Sequence, residues 1–177
     1  MPSGRTHDVI TFLLAAPAFA ATYAITRNVA ASATLGLAFL FGGLMFGPDL
    51  DTVSRQYSRW SIFRSLWFPY RSFFKHRSRF SHGLILGALI RVVYFMGIVS
   101  LAVFLAVYVY AAYSGGNLPA IAKIGETWRP IGAFMREHLG TNLLVIIFVG
   151  LWFGAASHSL TDMIGTFVKT GRAQKFF

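Results

Sequence analysis

The sequence predicts an all-α integral membrane protein with about four transmembrane helices and a cytoplasmic interfacial amphipathic helix between the second and the third. Three observations carry this expectation. Only 12% of the 177 residues are charged, against roughly 25% in an average soluble domain. Hydrophobic residues make up 55% of the chain and the mean hydropathy is +0.58. The apolar residues are gathered into runs that match a ~30 Å hydrocarbon core, which takes about 20 helical residues at ~1.5 Å each. Such a composition excludes a disordered chain and argues against a soluble globular one. The length suits a single membrane-embedded domain over 1–177. The absence of Cys excludes disulfides and thiolate metal ligands.

The first span is expected over about 9–26, with Pro17 inside it, a residue that transmembrane helices tolerate. A competing reading makes this stretch a signal peptide, with Arg5, an apolar run and Ala18-Phe19-Ala20 as its cleavage site. His7 and Asp8 spoil its basic start, and apolar sequence continues past Ala21. The second span, about 29–47, is rich in Gly and Ala, which suits close helix contact. Between 53 and 68, Val53, Tyr57, Trp60, Phe63 and Trp67 recur at spacings of three and four, with Arg55 and Arg59 on the opposite face and Pro69 ending the pattern. That pattern reads as an amphipathic helix on an anionic membrane surface, or packed on the bundle with a solvated basic face. The third span, about 83–113, is interrupted only by Arg91; 114–142 reads as a connection; and the fourth span, about 143–165, carries His158 and Asp162.

Net charge is +10, from 16 basic and 6 acidic residues. Arg5, the seven bases from Arg55 to Arg79, and Lys169, Arg172 and Lys175 fall on one side of this topology. Arg27, Lys123, Arg129 and Arg136 fall on the other. Because basic residues collect on the cytoplasmic side, both termini and the 48–82 loop are expected in the cytoplasm. The same topology accounts for most of the positive charge, so nucleic acid is not expected as a partner, whereas anionic lipid headgroups are.

Acids are scarce enough that each needs a reason. His7 and Asp8 stand at the start of span one, Asp49 and Asp51 at the end of span two, His76 and His82 before span three, and His158 and Asp162 near the end of span four. All four places lie at the same membrane face, whereas His138, Glu126 and Glu137 lie at the other. His158 and Asp162, four apart, share a helical face, and Gly47-Pro48 argues for a turn in which Asp49 and Asp51 both converge. Taken singly, each His is as easily a cap or a packed residue. Taken together, carboxylates gathered near a membrane repel one another unless a cation neutralises them. Carboxylates mixed with imidazoles suit Zn, Mn or Fe. Seven candidate ligands (His7, Asp49, Asp51, His76, His82, His158 and Asp162) exceed one tetrahedral ion and suit one or two divalent metals. Asp8 is expected to orient His7, with Ser78 and Ser81 as further hydrogen-bond partners behind the ligands.

The stretch from Met1 to Asp8, the Gly47-Pro48-Asp49-Leu50-Asp51 turn, Arg59-Trp60 through Trp67-Phe68-Pro69-Tyr70-Arg71, and His76-Arg77-Ser78 with Ser81-His82 carry a family likeness. They resemble a family of uncharacterised metal-binding membrane proteins common in cyanobacteria and, more distantly, YdjM-like membrane-bound metal-dependent hydrolases. The resemblance implies an N-terminal His, a Pro-Asp-x-Asp turn, a His-Arg followed by Ser-His or His-Ser, and a late His with an Asp. These map onto His7, Asp49 and Asp51, His76 with Arg77 and His82, and His158 with Asp162. The likeness is dense over 1–82 and returns at 157–162.

The leading expectation is a metal-dependent hydrolase acting on a phosphoester or lipid-like substrate at the cytoplasmic face. Arg77 and Arg79 would contact substrate phosphate, since guanidinium groups suit bidentate contact with phosphate oxygens. One alternative is a non-catalytic metal-binding protein with an assembly or transport role. Another is a metal-independent lipid phosphatase suggested by His158-x-x-x-Asp162. The absence of Arg and Lys just before His158 ranks it below the others.

Overall fold

The first helix begins earlier than hydropathy alone suggests, because Ser3 caps it: its Oγ accepts the amide of Thr6. In a computed structural model, which describes residues 3–74, 78–115, 126, 128–140 and 142–171, helix α1 runs Gly4–Thr26. His7 and Asp8 therefore lie on the helix rather than ahead of it. Pro17 is carried without a break, and the helix stops where Arg27 turns left-handed (φ 52°) and its amide bonds the Tyr23 carbonyl. Asn28 then caps α2, Val29–Met45, through the Ala31 amide at 3.0 Å. Helices α6 (Leu86–Tyr113) and α8 (Leu143–Thr170) supply the third and fourth apolar runs. All four are long and apolar enough to cross a membrane, and no strand occurs among the described residues.

The stretch expected to form one interfacial helix over 53–68 is instead three short pieces. These are α3 (Arg55–Arg59), a 3-10 helix (Ser61–Trp67) and α4 (Phe68–Phe73). Two local causes break it. Ser61 sits at φ 49°, which no continuous right-handed helix allows. Pro69 stands in the first turn of α4, where its missing N–H costs nothing, so it starts a helix rather than ending one. The apolar stripe divides accordingly: Tyr57 and Trp67 are buried, while Val53 and Phe63 are 74% and 58% exposed.

What the pieces do is close over the end of α2. Arg59 donates to the Leu44 carbonyl at 2.8 Å and Trp60 to the Met45 carbonyl at 2.9 Å, satisfying acceptors that a helix C-terminus leaves bare. Trp67 makes edge-on contacts with Phe46, Trp60 and Tyr70 at centroid distances of 5.3–5.7 Å. Each such pair is worth about 0.5–1.5 kcal/mol beyond its area. Trp67 and Tyr70 are wholly buried.

Small residues bring α2 and α8 to backbone contact. A side chain at Gly154 would meet the backbone of Phe39 and Gly43, and one at Gly42 would meet the backbone of Leu151. This is the packing by which apolar helices associate when lipid offers no hydrophobic drive. The chain divides into two compact units, residues 1–91 with 144–177, and residues 92–143. The second holds most of α6 and a strongly two-faced helix, α7 (Trp128–Leu139), within the stretch that the sequence presents as a plain connection. Every described residue of the candidate site belongs to the first unit.

Candidate metal centre

Four segments deliver polar side chains to one place. The Ser3 cap fixes the start of α1 and so the height of His7. Gly47 lets the chain leave α2 into a 3-10 turn, Pro48–Asp51, that carries the two aspartates. A side chain at Gly47 would displace the Gln56 amide from its place beside the Gly43 carbonyl and His158. A short helix, α5 (Arg79–His82), presents His82, and its exit is pinned to α8 by the Trp152 indole, which donates to the Leu84 carbonyl at 2.7 Å. Helix α8 brings His158 and Asp162 on one face.

His7 Nε2 lies 3.2 Å from Asp162 Oδ1, and His158 Nε2 lies 3.4 Å from Asp49 Oδ2 and 3.8 Å from Asp162 Oδ2. His82 Nε2 is 3.5 Å from Asp49 Oδ1. The His7 and His158 rings stack at 3.8 Å, tilted by only 9°. Two donor groups result, His7 with His158 and Asp162, and Asp49 with His82 and Asp162, the donor atoms of each within 4.8 Å of one another. Asp162 belongs to both. His7, His82, His158 and Asp162 are buried, whereas Asp49 is 28% exposed.

These residues fit a metal. His158 Nε2 is buried and makes no hydrogen bond, although two carboxylates face it. Most of the separations exceed a good N–H···O bond. They lie near the edge of a tetrahedron, about 3.3 Å, built on Zn–N and Zn–O bonds of ~2.0–2.1 Å. Close carboxylates without a cation are costly when buried.

The structure divides the expected ligands into those facing one another and those standing behind. Asp51 is the clearest case. Its Oδ2 sits 3.6 Å from His82 Nδ1, on the far side of the ring from Asp49, and it belongs to neither donor group. Ser81 Oγ is 3.0 Å from the same nitrogen, and Ser78 Oγ is 3.2 Å from Ser81 Oγ. Thus Ser78, Ser81 and Asp51 line the Nδ1 side of the His82 ring. Asp8 does not orient His7. Its carboxylate accepts from Arg59 at 2.6 Å and pairs with Arg55 at 3.0 Å, because one residue along a helix turns a side chain by about 100°. His76 and Arg77 lie outside the described residues, as does the side chain of Arg79.

Two participants are absent from the sequence reading. Gln56, buried on α3, donates to the Gly43 carbonyl at 2.7 Å and sits 3.2 Å from His158 Nδ1. Nothing in its neighbourhood marks it, so no sequence signal could have found it. Arg91 is wholly buried and donates to the Ser81 carbonyl, next to His82. It also lies beside Tyr70, whose hydroxyl burial pushes up while the guanidinium pulls it the other way. Its signal was present as the sole charge in an apolar run. A cavity of about 510 Å³ opens onto His7, Asp49 and His158 and is edged by Arg5 and Arg55.

Comparison with known proteins agrees with this chemistry. Residues 2–172 match the family described as uncharacterized metal-binding protein (DUF2227), and the chain belongs to that family. A stretch of 60 residues, 33% of this chain, is 37% identical to a protein of Aquifex aeolicus (strain VF5) described as uncharacterized. The match spans 42% of that relative's length. No solved structure matches the chain.

Proposed function

We propose that this metal-binding chain is a membrane-embedded hydrolase that holds two divalent ions and cleaves a phosphoester at the cytoplasmic face. The observation that carries the reading is the pair of His/Asp donor groups sharing Asp162, one of which includes the part-exposed Asp49 at the mouth of a cavity edged by arginines. His7, His158 and Asp162 would hold one ion, and Asp49, His82 and Asp162 the other. Such ions supply Lewis acidity and acidify a water toward neutrality, as in two-metal phosphoester-cleaving sites.

The chain's own groups do the rest. Asp51 and Ser81 hold the ring of His82 at Nδ1, so that it presents Nε2, and Gln56 packs against Nδ1 of His158. Arg5 and Arg55 suit the anionic oxygens of a substrate entering the cavity, a role the sequence assigned to Arg77 and Arg79. Arg55 is half exposed and is held at the edge of the cavity by Asp8. Cytoplasmic placement of the site follows the basic-residue asymmetry.

A non-catalytic metal protein is the second reading, favoured by the near-complete burial of His7, His158 and Asp162. Elemental analysis of the purified protein, paired with hydrolysis of a soluble phosphomonoester before and after exhaustive chelation, separates the two. Stoichiometric metal with chelator-sensitive turnover is expected. Stoichiometric metal without turnover of any phosphoester supports the second reading instead.

A further inference from the structure

We infer that an apolar groove between α1 and α8 holds the hydrocarbon chain of a membrane amphiphile whose anionic phosphoester head sits in the cavity at the metal centre. This deepens, and rests on, the hydrolase reading above. The groove encloses about 830 Å³, within the ~300–1,000 Å³ of ordinary ligand sites. On α1 it is lined at Ile10, Leu14 and Ala18, on α8 at Phe153, Ala156 and Leu160, with Leu35 and Phe39 of α2 also contributing.

Its position ties it to the site. The groove-lining residues Thr6, Ser157 and Thr161 each stand one place before a candidate ligand, His7, His158 and Asp162. Successive residues on a helix are about 100° apart, so the ligands and the groove occupy neighbouring faces of the same two helix ends. A head at the metal cavity and a tail in the groove therefore need only to pass around the rim of α1 or α8.

Its chemistry suits hydrocarbon. The few hydroxyls that line it are satisfied within the helices. Ser157 bonds the Gly154 carbonyl, Thr161 the Ser157 carbonyl and Thr22 the Ala18 carbonyl, each at 2.7–2.8 Å. Thr6 Oγ1 lies 3.0 Å from Ser3 Oγ. No lining hydroxyl asks for a polar partner.

From Thr6 to Ile25 the groove follows α1 for about 28 Å at ~1.5 Å per residue, close to a ~30 Å hydrocarbon core. The polar end is fixed by the metal donors His7, Asp49 and His158 and by Arg5 in the adjoining cavity, where Arg55 is already paired with Asp8. Because lipid tails are as apolar as the groove, selectivity comes from packing along the chain and from the head, not from hydrophobic transfer.

The test compares hexadecyl phosphate with butyl phosphate on the detergent-solubilised, metal-loaded protein, together with photolabelling by a diazirine-bearing hexadecyl phosphate. We expect labelled peptides from α1 and α8, and a kcat/KM ratio favouring the long chain. Ala18→Phe and Ala156→Phe, which fill the groove, should lower that ratio roughly tenfold, as overpacking does, and reduce labelling while metal content stays at the wild-type level. Ala16→Phe, on an exposed part of α1 outside the groove, should change neither. Labelling that is indifferent to both filling variants, equal ratios in all proteins, or cross-links between copies at these residues would overturn the chain site. Groove labelling that survives when neither phosphate is hydrolysed would uphold the chain site and sink the hydrolase reading, so the two fail separately.

Discussion

The two donor groups of the centre share Asp162 but are built from different material. His7, His158 and Asp162 lie on long helices, buried and at 3.2 to 3.8 Å. Asp49 and His82 come from a four-residue 3-10 turn and a four-residue helix, and Asp49 is part open. Long helices packed through Gly42, Gly150 and Gly154 offer little freedom. Short segments rely on side chains behind them, here Asp51, Ser81 and Arg91. On the proposed function, the first group retains an ion and the second is where substrate arrives.

The sharpest way to break this comparison is to remove the shared carboxylate. Asp162→Ala should abolish metal retention at both groups, read by elemental analysis after gel filtration; metal near wild-type content would dissolve the shared-ligand reading. Next come the unshared imidazoles. His82→Ala should keep about half the metal and His158→Ala should lose more, because open and closed sites release ions unequally; equal losses would remove the distinction. Smaller in effect is Asp51→Asn, which leaves His82 in place but weakens its orientation. A loss of roughly 10–100-fold in affinity for the second ion is expected, since partners behind a metal-bound His carry that much. A complete loss, equal to that of His82→Ala, would make Asp51 a ligand. The smallest effect bears on the frame. Gly154→Ala would press on the Phe39 carbonyl and should cost about 1–3 kcal/mol in stability, measured by thermal unfolding in detergent. An unchanged midpoint would mean that α2 and α8 have room to part.

Some of this was legible before the fold. The four apolar runs declare themselves because length and hydropathy are local properties, and the structure moves their ends by a few residues: α1 starts at Gly4, α6 at Leu86, and α8 runs on to Thr170. His7, Asp49, His82, His158 and Asp162 were readable as a group because polar residues in apolar helix ends are costly. Asp49 and Asp51 are indistinguishable in sequence, two residues apart in one motif. They part only because the 3-10 turn sends one to each side of the His82 ring. The 53–68 stretch misled because its spacing of three and four is also satisfied by broken turns, once Ser61 leaves the right-handed region. Gln56 could not be foreseen, since its role exists only where α3 meets α2 and α8.

By itself, then, the sequence determined the apolar runs, the surplus of bases and the short inventory of acids and imidazoles near one set of helix ends. Tertiary structure decided which of them face one another, which stand behind, and which, like Asp8, are drawn off to an arginine pair. The physical reason is rotational. Hydropathy sets how far a helix extends along its axis, but its rotation about that axis is set by contacts with its neighbours, here the glycines between α2 and α8 and Thr11 against Gly43. A change of one residue's rotation, about 100°, separates a ligand from a bystander.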